Sequence, residues 1–214
     1  MRPHGRSMSI KDNISGKVEA AISTGLESVI ESRSDHYSKR PDKRPTLDSV
    51  ASMISSSANT NAVITGGSSL IPGPWGMAAV IPELTVVIHN QIKLIYDIGV
   101  AHGKEKIITK ELILGIFISA LGTSAGSVLT IQGSRVLVKR TSLRAIQKII
   151  AMLGGRITQQ AIKSAISKWL PIVGAAAMAT WTRHTTKKIG ERAQQIFLLD
   201  IQDDPSTMDI ELAD

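Results

Sequence analysis

The chain has 214 residues, enough to bury a sizeable core in one domain, and it contains no cysteine, which excludes disulfides and thiolate metal sites. Hydrophobic residues make up 43% of it but aromatic residues only 3%, so aliphatic side chains must supply nearly all of the packing, which favours an all-α fold over an aromatic-rich β-sandwich. The formal net charge of +7 predicts attraction to a polyanion, either an anionic lipid surface or a nucleic acid.

Residues 1–45 are predicted to be a polar N-terminal extension, largely disordered or weakly helical. Apolar residues recur with a weak helical rhythm only between Ile14 and Ile30. The segment from Ser32 to Pro45 is rich in Ser, Lys and Arg and cannot bury enough apolar surface to order itself, so it is predicted to be a linker. The start of the chain lacks the apolar region of a cleavable secretory signal, and none is expected.

The folded domain is predicted to span residues 46–199 and to begin with a short amphipathic helix from Thr46 to Ser57. Small residues follow until a pair of glycines, where we expect the chain to turn. Further on, two prolines around a glycine prevent a continuous helix and permit a sharp turn, and later prolines should kink, break or restart helices. The positions predicted to turn or kink the chain are Gly66, Gly67, Pro72, Gly73, Pro74, Pro82 and Pro171.

A long apolar helix is predicted from Glu83 to His102, and it carries one narrow polar face. Seven-residue spacing places Glu83, Asn90 and Asp97 on that face, with Lys93 beside them. Polar residues on such an apolar helix have two interpretations. They form a buried polar network or a partner-facing stripe, which we prefer, or they line a water-filled path after insertion into a membrane.

The stretch from Leu112 to Gly133 contains 22 residues without a charge, which is long enough for a membrane-spanning helix. Glycine, serine and threonine dilute its apolar character. Gly122 and Gly126 form a GxxxG pair, which suits close helix packing either in lipid or in a soluble core. We therefore predict a buried hairpin helix, or one that inserts conditionally, in preference to a permanent span.

A basic amphipathic helix is predicted to end at Gly154 and Gly155, and the helix after it has a similar character. Arg140, Arg144 and Lys148 recur every four residues on one side of it, opposite aliphatic residues. Such a face is either the solvated side of a core helix, which we prefer, or a surface that lies on anionic lipid. Tryptophans at the borders of apolar segments suit membrane interfaces, although core packing explains them equally well. The residues that are candidates for lipid contact are Arg140, Arg144, Lys148, Lys163, Lys168, Arg183, Lys187, Lys188, Trp75, Trp169 and Trp181.

The chain is predicted to end in an acidic tail, residues 200–214, after a last helix that continues to Leu199. The tail holds six acidic residues and no basic one, whereas the stretch from Arg135 to Arg192 holds twelve basic residues and a single acidic one. Without its tail the protein is therefore strongly basic. The tail is either a solvated end, which we prefer, or a segment that folds back to screen the basic body.

Two groups of motifs resemble a known family. The first is an apolar helix that follows a Gly/Pro turn and ends in IYDIGVAHG at residues 95–103. The second starts with LPIVGAA at residues 170–176 and continues through Arg183-His184 to Glu191-Arg192-Ala193 and Phe197. Together they resemble the EcsC family of bacterial proteins, and more loosely the YcjF-type hydrophobic helical domain that accompanies some GTPases. The similarity covers roughly Leu47 to Leu199, so the polar extension and the acidic tail depart from it.

The resemblance implies an α-helical, membrane-associated bacterial protein in the cytoplasm or at the cytoplasmic membrane, bound there peripherally or integrally. Some members of the family are linked genetically to transport and secretion. The protein partners expected on that basis are a transporter or a secretion component. If the protein is instead a membrane-disrupting toxin, the expected partners are a chaperone, which the polar N-terminal extension would suit, or an immunity protein. The family has no established catalytic residues, so the resemblance assigns none to this chain.

The sequence contains none of the catalytic or metal-binding motifs that we considered. It lacks a GxxxxGK[ST] phosphate-binding loop, an HExxH zinc pair and a GxSxG nucleophile elbow, so we expect neither enzymatic activity nor a cofactor or metal. Nucleic acid is less favoured than lipid as a partner, because few aromatic side chains are available to stack on bases. The leading hypothesis is a protein that binds or partly inserts into anionic bacterial membrane. The alternatives are a pore-forming toxin that stays soluble until insertion and a soluble helical interaction module.

Overall fold

The computed structural model of the protein describes residues 10–67, 74–122, 128–166 and 171–208. Within these ranges the chain is mostly helical, with six α-helices and one three-stranded sheet of order β1-β2-β3. The helices are α1 (Ile10–Lys39), α2 (Val50–Gly67), α3 (Pro74–Ala101), α4 (Lys110–Leu121), α5 (Leu143–Ile166) and α6 (Pro171–Leu198), and the strands are β1 (Leu129–Gln132), β2 (Arg135–Thr141) and β3 (Asp200–Met208). The predicted helical character is confirmed, whereas the sheet is an addition to the predicted all-α fold.

Helix α3 lies at the centre of the fold and packs against α1, α2 and α6. Its residues Ile92 and Ile95 are completely buried, on the side of the helix that faces the core. Pro74 and Pro171 are the first residues of α3 and α6, a position that suits proline because the first helical N–H has no partner within the helix. Pro82 lies inside α3, which is continuous through it, so the restart of the helix, one of the two alternatives predicted for this proline, does not occur.

Helix α1 belongs to the core, although its residues are predicted to form a disordered or weakly helical extension. Val18, Ile22 and Leu26, which are four residues apart, are buried in the hydrophobic core, where α1 packs against α3 and α5. The helix continues through the first part of the predicted linker, where Tyr37 is only 2% exposed. The linker prediction is therefore wrong for residues 32–39. A thin apolar stripe folds this segment because tertiary packing, more than local propensity, stabilises a helix.

Helix α2 is longer than the predicted one. It begins at Val50, after a short 3-10 turn, and extends to Gly67. Gly66 therefore lies within a helix and not in a turn, which corrects the prediction at that position, and Gly67 is the last helical residue. Pro72 and Gly73 lie outside the described residues.

The uncharged stretch from Leu112 to Gly133 is not a single helix. Helix α4 ends at Leu121, because Gly122 takes a left-handed conformation with a φ of 63°. Strand β1 begins at Leu129, and a tight antiparallel hairpin joins it to β2. Gly126, the second glycine of the GxxxG pair, lies outside the described residues.

Strand β1 packs directly onto α4 at Gly115. A Cβ atom at this position would lie 2.3 Å from the Cγ atom of Leu129, so the helix needs a glycine here for the leucine to pack against it. Leu112 and Ile116 in the same helix are completely buried. The uncharged stretch lacks charged residues in α4 because that helix is buried in the protein core. None of the helices in the described ranges combines the length and the apolar character needed to cross a bilayer.

The acidic segment after α6 folds back onto the basic strand β2. Strand β3 pairs with β2 in parallel, which places Asp200 beside Arg135 and Asp204 beside Lys139. The register then shifts near Pro205, which has no N–H to donate and so interrupts regular pairing. The preferred prediction of a solvated tail is wrong for the residues of β3, and the fold-back alternative describes them.

Helix α5 begins after Arg140, which lies in β2 and not on the predicted basic helix. Ser142 caps α5, because its Oγ accepts a hydrogen bond from the backbone N–H of Ala145 at 3.3 Å. The helix passes through Gly154 and Gly155, where the sequence predicts its end, and continues beyond them. Packing of the buried face of α5 against α1 outweighs the low helix propensity of the two glycines.

Candidate functional site

An exposed leucine lies at the junction of β2 and α5, with basic residues before and after it in the chain. Leu143, the first residue of α5, is 72% exposed. Arg140 precedes it near the end of β2, Arg144 and Lys148 follow it on successive turns of α5, and all three basic residues are exposed. These four residues, which we call the junction patch, form a cationic surface with one apolar side chain in it.

The electrostatics of α5 favour an anionic partner. No acidic residue is present anywhere along this helix, and Lys163 near its far end is also exposed. Arg144 lies in the first turn, where the helix dipole is already positive and an acidic residue would be stabilising. The opposite face is buried at Ile149 and Leu153. The positive charge of α5 is therefore concentrated on its solvent-facing side.

The basic residues of α6 are partly engaged within the protein. Arg183 donates from Nε to Oδ1 of Asn59 at 2.9 Å, and Lys187 Nζ lies 3.6 Å from a carboxylate oxygen of Glu191. Lys188 is exposed. Two of these three charges therefore already contact polar partners within the protein.

One of the three predicted tryptophan anchors is placed by the structure. Trp181 is half-buried and packs against the hydrophobic core. Its position therefore agrees with core packing, the alternative to a membrane anchor. Trp75 belongs to the first turn of α3. Its side chain lies outside the described part of the chain, as do the whole residues Lys168 and Trp169.

A buried ionic cluster joins α1 to the polar face of α3. Asp97 Oδ1 accepts hydrogen bonds from Arg33 Nε at 2.8 Å and from the Tyr37 hydroxyl at 2.9 Å. The Arg33 guanidinium also donates to the Tyr37 hydroxyl and lies 4.5 Å from the centre of the tyrosine ring. Burial raises the pKa of Tyr37 to about 12, and the neighbouring Asp97 adds to this rise. Burial also raises the pKa of Asp97, against the opposing effects of Arg33 and Tyr37.

The raised pKa of Asp97 predicts that this carboxyl weakens the fold as the pH rises. It titrates near its ordinary value of 3.8 in the unfolded chain and at a higher pH in the folded protein. Between these two values only the folded state holds the proton, so the stability from this group is present at pH values below 3.8 and is lost as the pH rises through the folded pKa. In urea unfolding, the stability of the wild type relative to Asp97→Asn should fall from acidic to neutral pH. A rise would show that Arg33 outweighs burial.

A second polar network links α2, α3 and α6. Asn61 Oδ1 accepts a hydrogen bond from Asn90 Nδ2 at 2.8 Å, and Asn61 Nδ2 donates to Thr186 Oγ1 at 3.2 Å. Gln91 Nε2 donates to the same threonine oxygen at 3.0 Å. Asn61, Gln91 and Thr186 are buried. Part of the predicted polar face of α3 therefore belongs to a buried polar network. Such a network is one of the interpretations that we prefer to a water-filled path.

Part of the same polar face borders an open cleft between α2 and α3. The cleft has a volume of about 410 Å³. Its α3 wall includes Asn90, Lys93 and Asp97, and its α2 wall is rich in hydroxyl groups. Lys93 is exposed, and Glu83, at the other end of the predicted stripe, is half-buried away from the cleft lining. The structure therefore brings Asn90, Lys93 and Asp97 together and leaves Glu83 apart.

Comparisons of the chain with protein-family models, with curated proteins and with solved structures give no match. The EcsC resemblance stays a prediction that rests on the motifs alone.

Sequence reasoning misses the α1 side of the ionic cluster. Arg33 and Tyr37 lie in the segment predicted to be a linker, yet they continue the helical spacing of Leu26 and Ile30 at intervals of four, three and four residues. That spacing is the signal that could have placed them on the inner face of α1. Their partner Asp97 lies 60 or more residues away, and no local pattern identifies such a contact.

Proposed function

We propose that the protein binds the surface of anionic bacterial membrane peripherally, without catalysis, through the junction patch. The observation that carries this proposal is the exposure of Leu143 between Arg140 and Arg144. An exposed apolar side chain with basic residues close to it along the chain matches the boundary between acyl chains and anionic headgroups. A role accessory to transport or secretion, implied by the EcsC resemblance, is part of the same proposal.

The expected strength of this contact is modest. A well-placed Lys or Arg contributes about 1 kcal/mol near an anionic membrane surface. Burial of a leucine side chain adds about 1.5 kcal/mol or more. Three basic residues and one leucine thus give roughly 5 kcal/mol, which corresponds to weak and reversible association. A second site, a lipid-bound partner or several copies would strengthen it.

Peripheral binding fits the burial of the apolar segments. Ile95 of α3 and Leu112 of α4 are completely buried. Their insertion into lipid would require the core to open, whereas the junction patch is already exposed and needs no rearrangement to reach headgroups. This difference favours surface binding over the toxin alternative, in which the same apolar helices enter the bilayer.

The test is flotation with vesicles that contain phosphatidylglycerol. Replacing Arg140, Arg144 and Lys148 together by Gln should weaken partitioning about 100-fold at low salt, because three contributions of about 1 kcal/mol are removed. Raising the salt concentration should weaken binding of the wild type, since exposed charges are screened. Leu143→Gln should reduce partitioning without changing the salt dependence.

The matched control changes the same net charge elsewhere. Lys39, Arg40 and Lys43 are exposed basic residues at the end of α1 and in the turn after it, and their triple replacement by Gln should leave flotation almost unchanged. Equal losses in both triple variants would contradict a specific patch. If the wild type does not float at all, the soluble interaction module takes its place, and release of an enclosed dye would favour the toxin.

A further inference from the structure

Two opposite charges on one wall of the α2–α3 cleft are not paired with each other. Lys93 and Asp97 are one turn apart on α3, and both line the cleft. No ion pair joins the two side chains in the described part of the chain, although this spacing permits one. An ammonium group and a carboxylate are therefore available side by side to a molecule in the cleft.

Asp97 is held in place by groups outside the cleft. Arg33 and Tyr37 both bind its Oδ1 atom, and the residue as a whole is only 9% exposed. Neither of these hydrogen bonds uses Oδ2, which leaves that oxygen to accept from a ligand. A carboxylate fixed by two neighbours loses little freedom on binding, and such preorganisation favours affinity.

The rest of the lining supplies neutral donors and acceptors. Ser52, Ser56 and Thr60 recur every four residues along α2 and border the cleft. Asn90 uses its amide nitrogen to bind Asn61, so its carbonyl oxygen can accept a further hydrogen bond. Hydroxyl groups can donate to an anion or accept from an ammonium, so this wall suits a ligand that carries both.

We propose that this cleft binds a small zwitterion that carries an ammonium group and a phosphate or carboxylate a few bonds apart. The Oδ2 atom of Asp97 receives the ammonium, while Lys93 and the hydroxyls of α2 receive the anion. A ligand with only an anionic group would leave Oδ2 of Asp97 without a donor, and one with only a cationic group would leave Lys93 without an anion. The volume of about 410 Å³ admits a molecule the size of phosphoethanolamine. The inference does not rest on the membrane proposal, because it uses other residues.

Phosphoethanolamine tests the proposal directly, with ethanolamine and inorganic phosphate as probes that carry only one of its charged groups. In a titration followed by two-dimensional NMR of the full chain, phosphoethanolamine should shift the backbone signals of the cleft residues and should bind at least about tenfold more tightly than either half. Weak or equal binding of all three probes would overturn the proposal. Binding of phosphate as tight as that of phosphoethanolamine would overturn it too.

Two variants keep the test independent of folding. Lys93→Gln changes an exposed residue and should weaken phosphoethanolamine about tenfold, whereas Lys106→Gln, an exposed lysine outside the cleft lining, should not. Ser56→Leu places a larger side chain at an exposed position in the cleft and should abolish binding while the unfolding midpoint stays near that of the wild type. Unchanged affinity in both Lys93→Gln and Ser56→Leu would contradict the site.

Vesicles decide whether the zwitterion is free or part of a lipid. Flotation is compared on uncharged vesicles of phosphatidylcholine with and without phosphatidylethanolamine. If phosphatidylethanolamine increases flotation and Lys93→Gln removes the increase, the ligand is a headgroup. If soluble phosphoethanolamine binds without such an increase, it is a free metabolite. Lys93→Gln leaves the junction patch intact, so a failure here is distinguishable from a failure of binding to phosphatidylglycerol.

Discussion

Replacing Arg33 by methionine should lower the free energy of unfolding by about 3 kcal/mol at pH 7. The side chains of Arg33 and Asp97 are only 16% and 12% exposed, so loss of the guanidinium leaves a carboxylate that neither water nor a cation fully compensates. Tyr37 loses a donor and a cation over its ring in the same step. The measurement is urea unfolding followed by circular dichroism, with the midpoint compared at constant slope.

The same helix supplies the control for this prediction. Lys39 pairs with Asp35 four residues earlier, but their side chains are 72% and 56% exposed. Lys39→Met should therefore change the unfolding free energy by less than about 0.5 kcal/mol. If both variants lose the same amount, the cluster around Asp97 contributes no more than a surface ion pair, and α1 is held on α3 by its apolar residues alone.

Gly115→Val should also cost about 3 kcal/mol, because the added side chain collides with Leu129. The closest pair of atoms would be the new Cβ and the Cγ of Leu129, at 2.3 Å. Gly155→Val is the matched control, since Gly155 also lies within a helix and a Cβ atom there has nothing within 4 Å. That variant should remain within about 0.5 kcal/mol of the wild type.

A double-mutant cycle shows whether α4 and β1 contact each other. Leu129→Ala alone should cost about 2 kcal/mol by loss of packing, but in the Gly115→Val background it makes room for the valine. The double variant should therefore be more stable than the sum of the single changes by 1 kcal/mol or more. In a continuous helix the two positions would lie about 21 Å apart and their effects would add. Additive effects would thus reject the break between helix and strand.

Helical periodicity predicts much of this fold, but it does not show whether an apolar helix face is buried in a protein core or in a lipid bilayer. The apolar spacing of α3 and α5 identifies both helices but not their ends, because each helix buries one face. The uncharged stretch after Leu112 is ambiguous, since a lipid bilayer and a closely packed protein core select the same side chains. The hairpin was nevertheless visible in the sequence. Val136 and Val138 alternate with exposed or half-buried residues after a glycine turn, a strand pattern that the membrane interpretation hides.

Of the two candidate surfaces, the basic face of α5 follows from local residue spacing, whereas the cleft depends on contacts between residues that are distant in sequence. Arg144 and Lys148 are exposed on one side of α5, as four-residue spacing predicts, and Arg140 joins them although it lies on a strand. Their role in lipid binding stays a prediction. The cleft depends on how α2 approaches α3, which is a tertiary property. The sequence alone predicts that the polar residues of α3 lie on one face, but it does not identify the residues of α1 and α2 that contact them.

The parallel pairing of β3 with β2 has a consequence for folding. The paired residues Arg135 and Asp200 are separated in sequence by the whole of α5 and α6, so this part of the sheet closes late. Until then β2 has an open edge, which could pair with another copy of the chain. Its basic residues Arg135, Lys139 and Arg140 repel the same strand of a second molecule and attract the acidic β3. The distribution of charge thus disfavours pairing of β2 with the same strand of a second molecule and favours its pairing with β3.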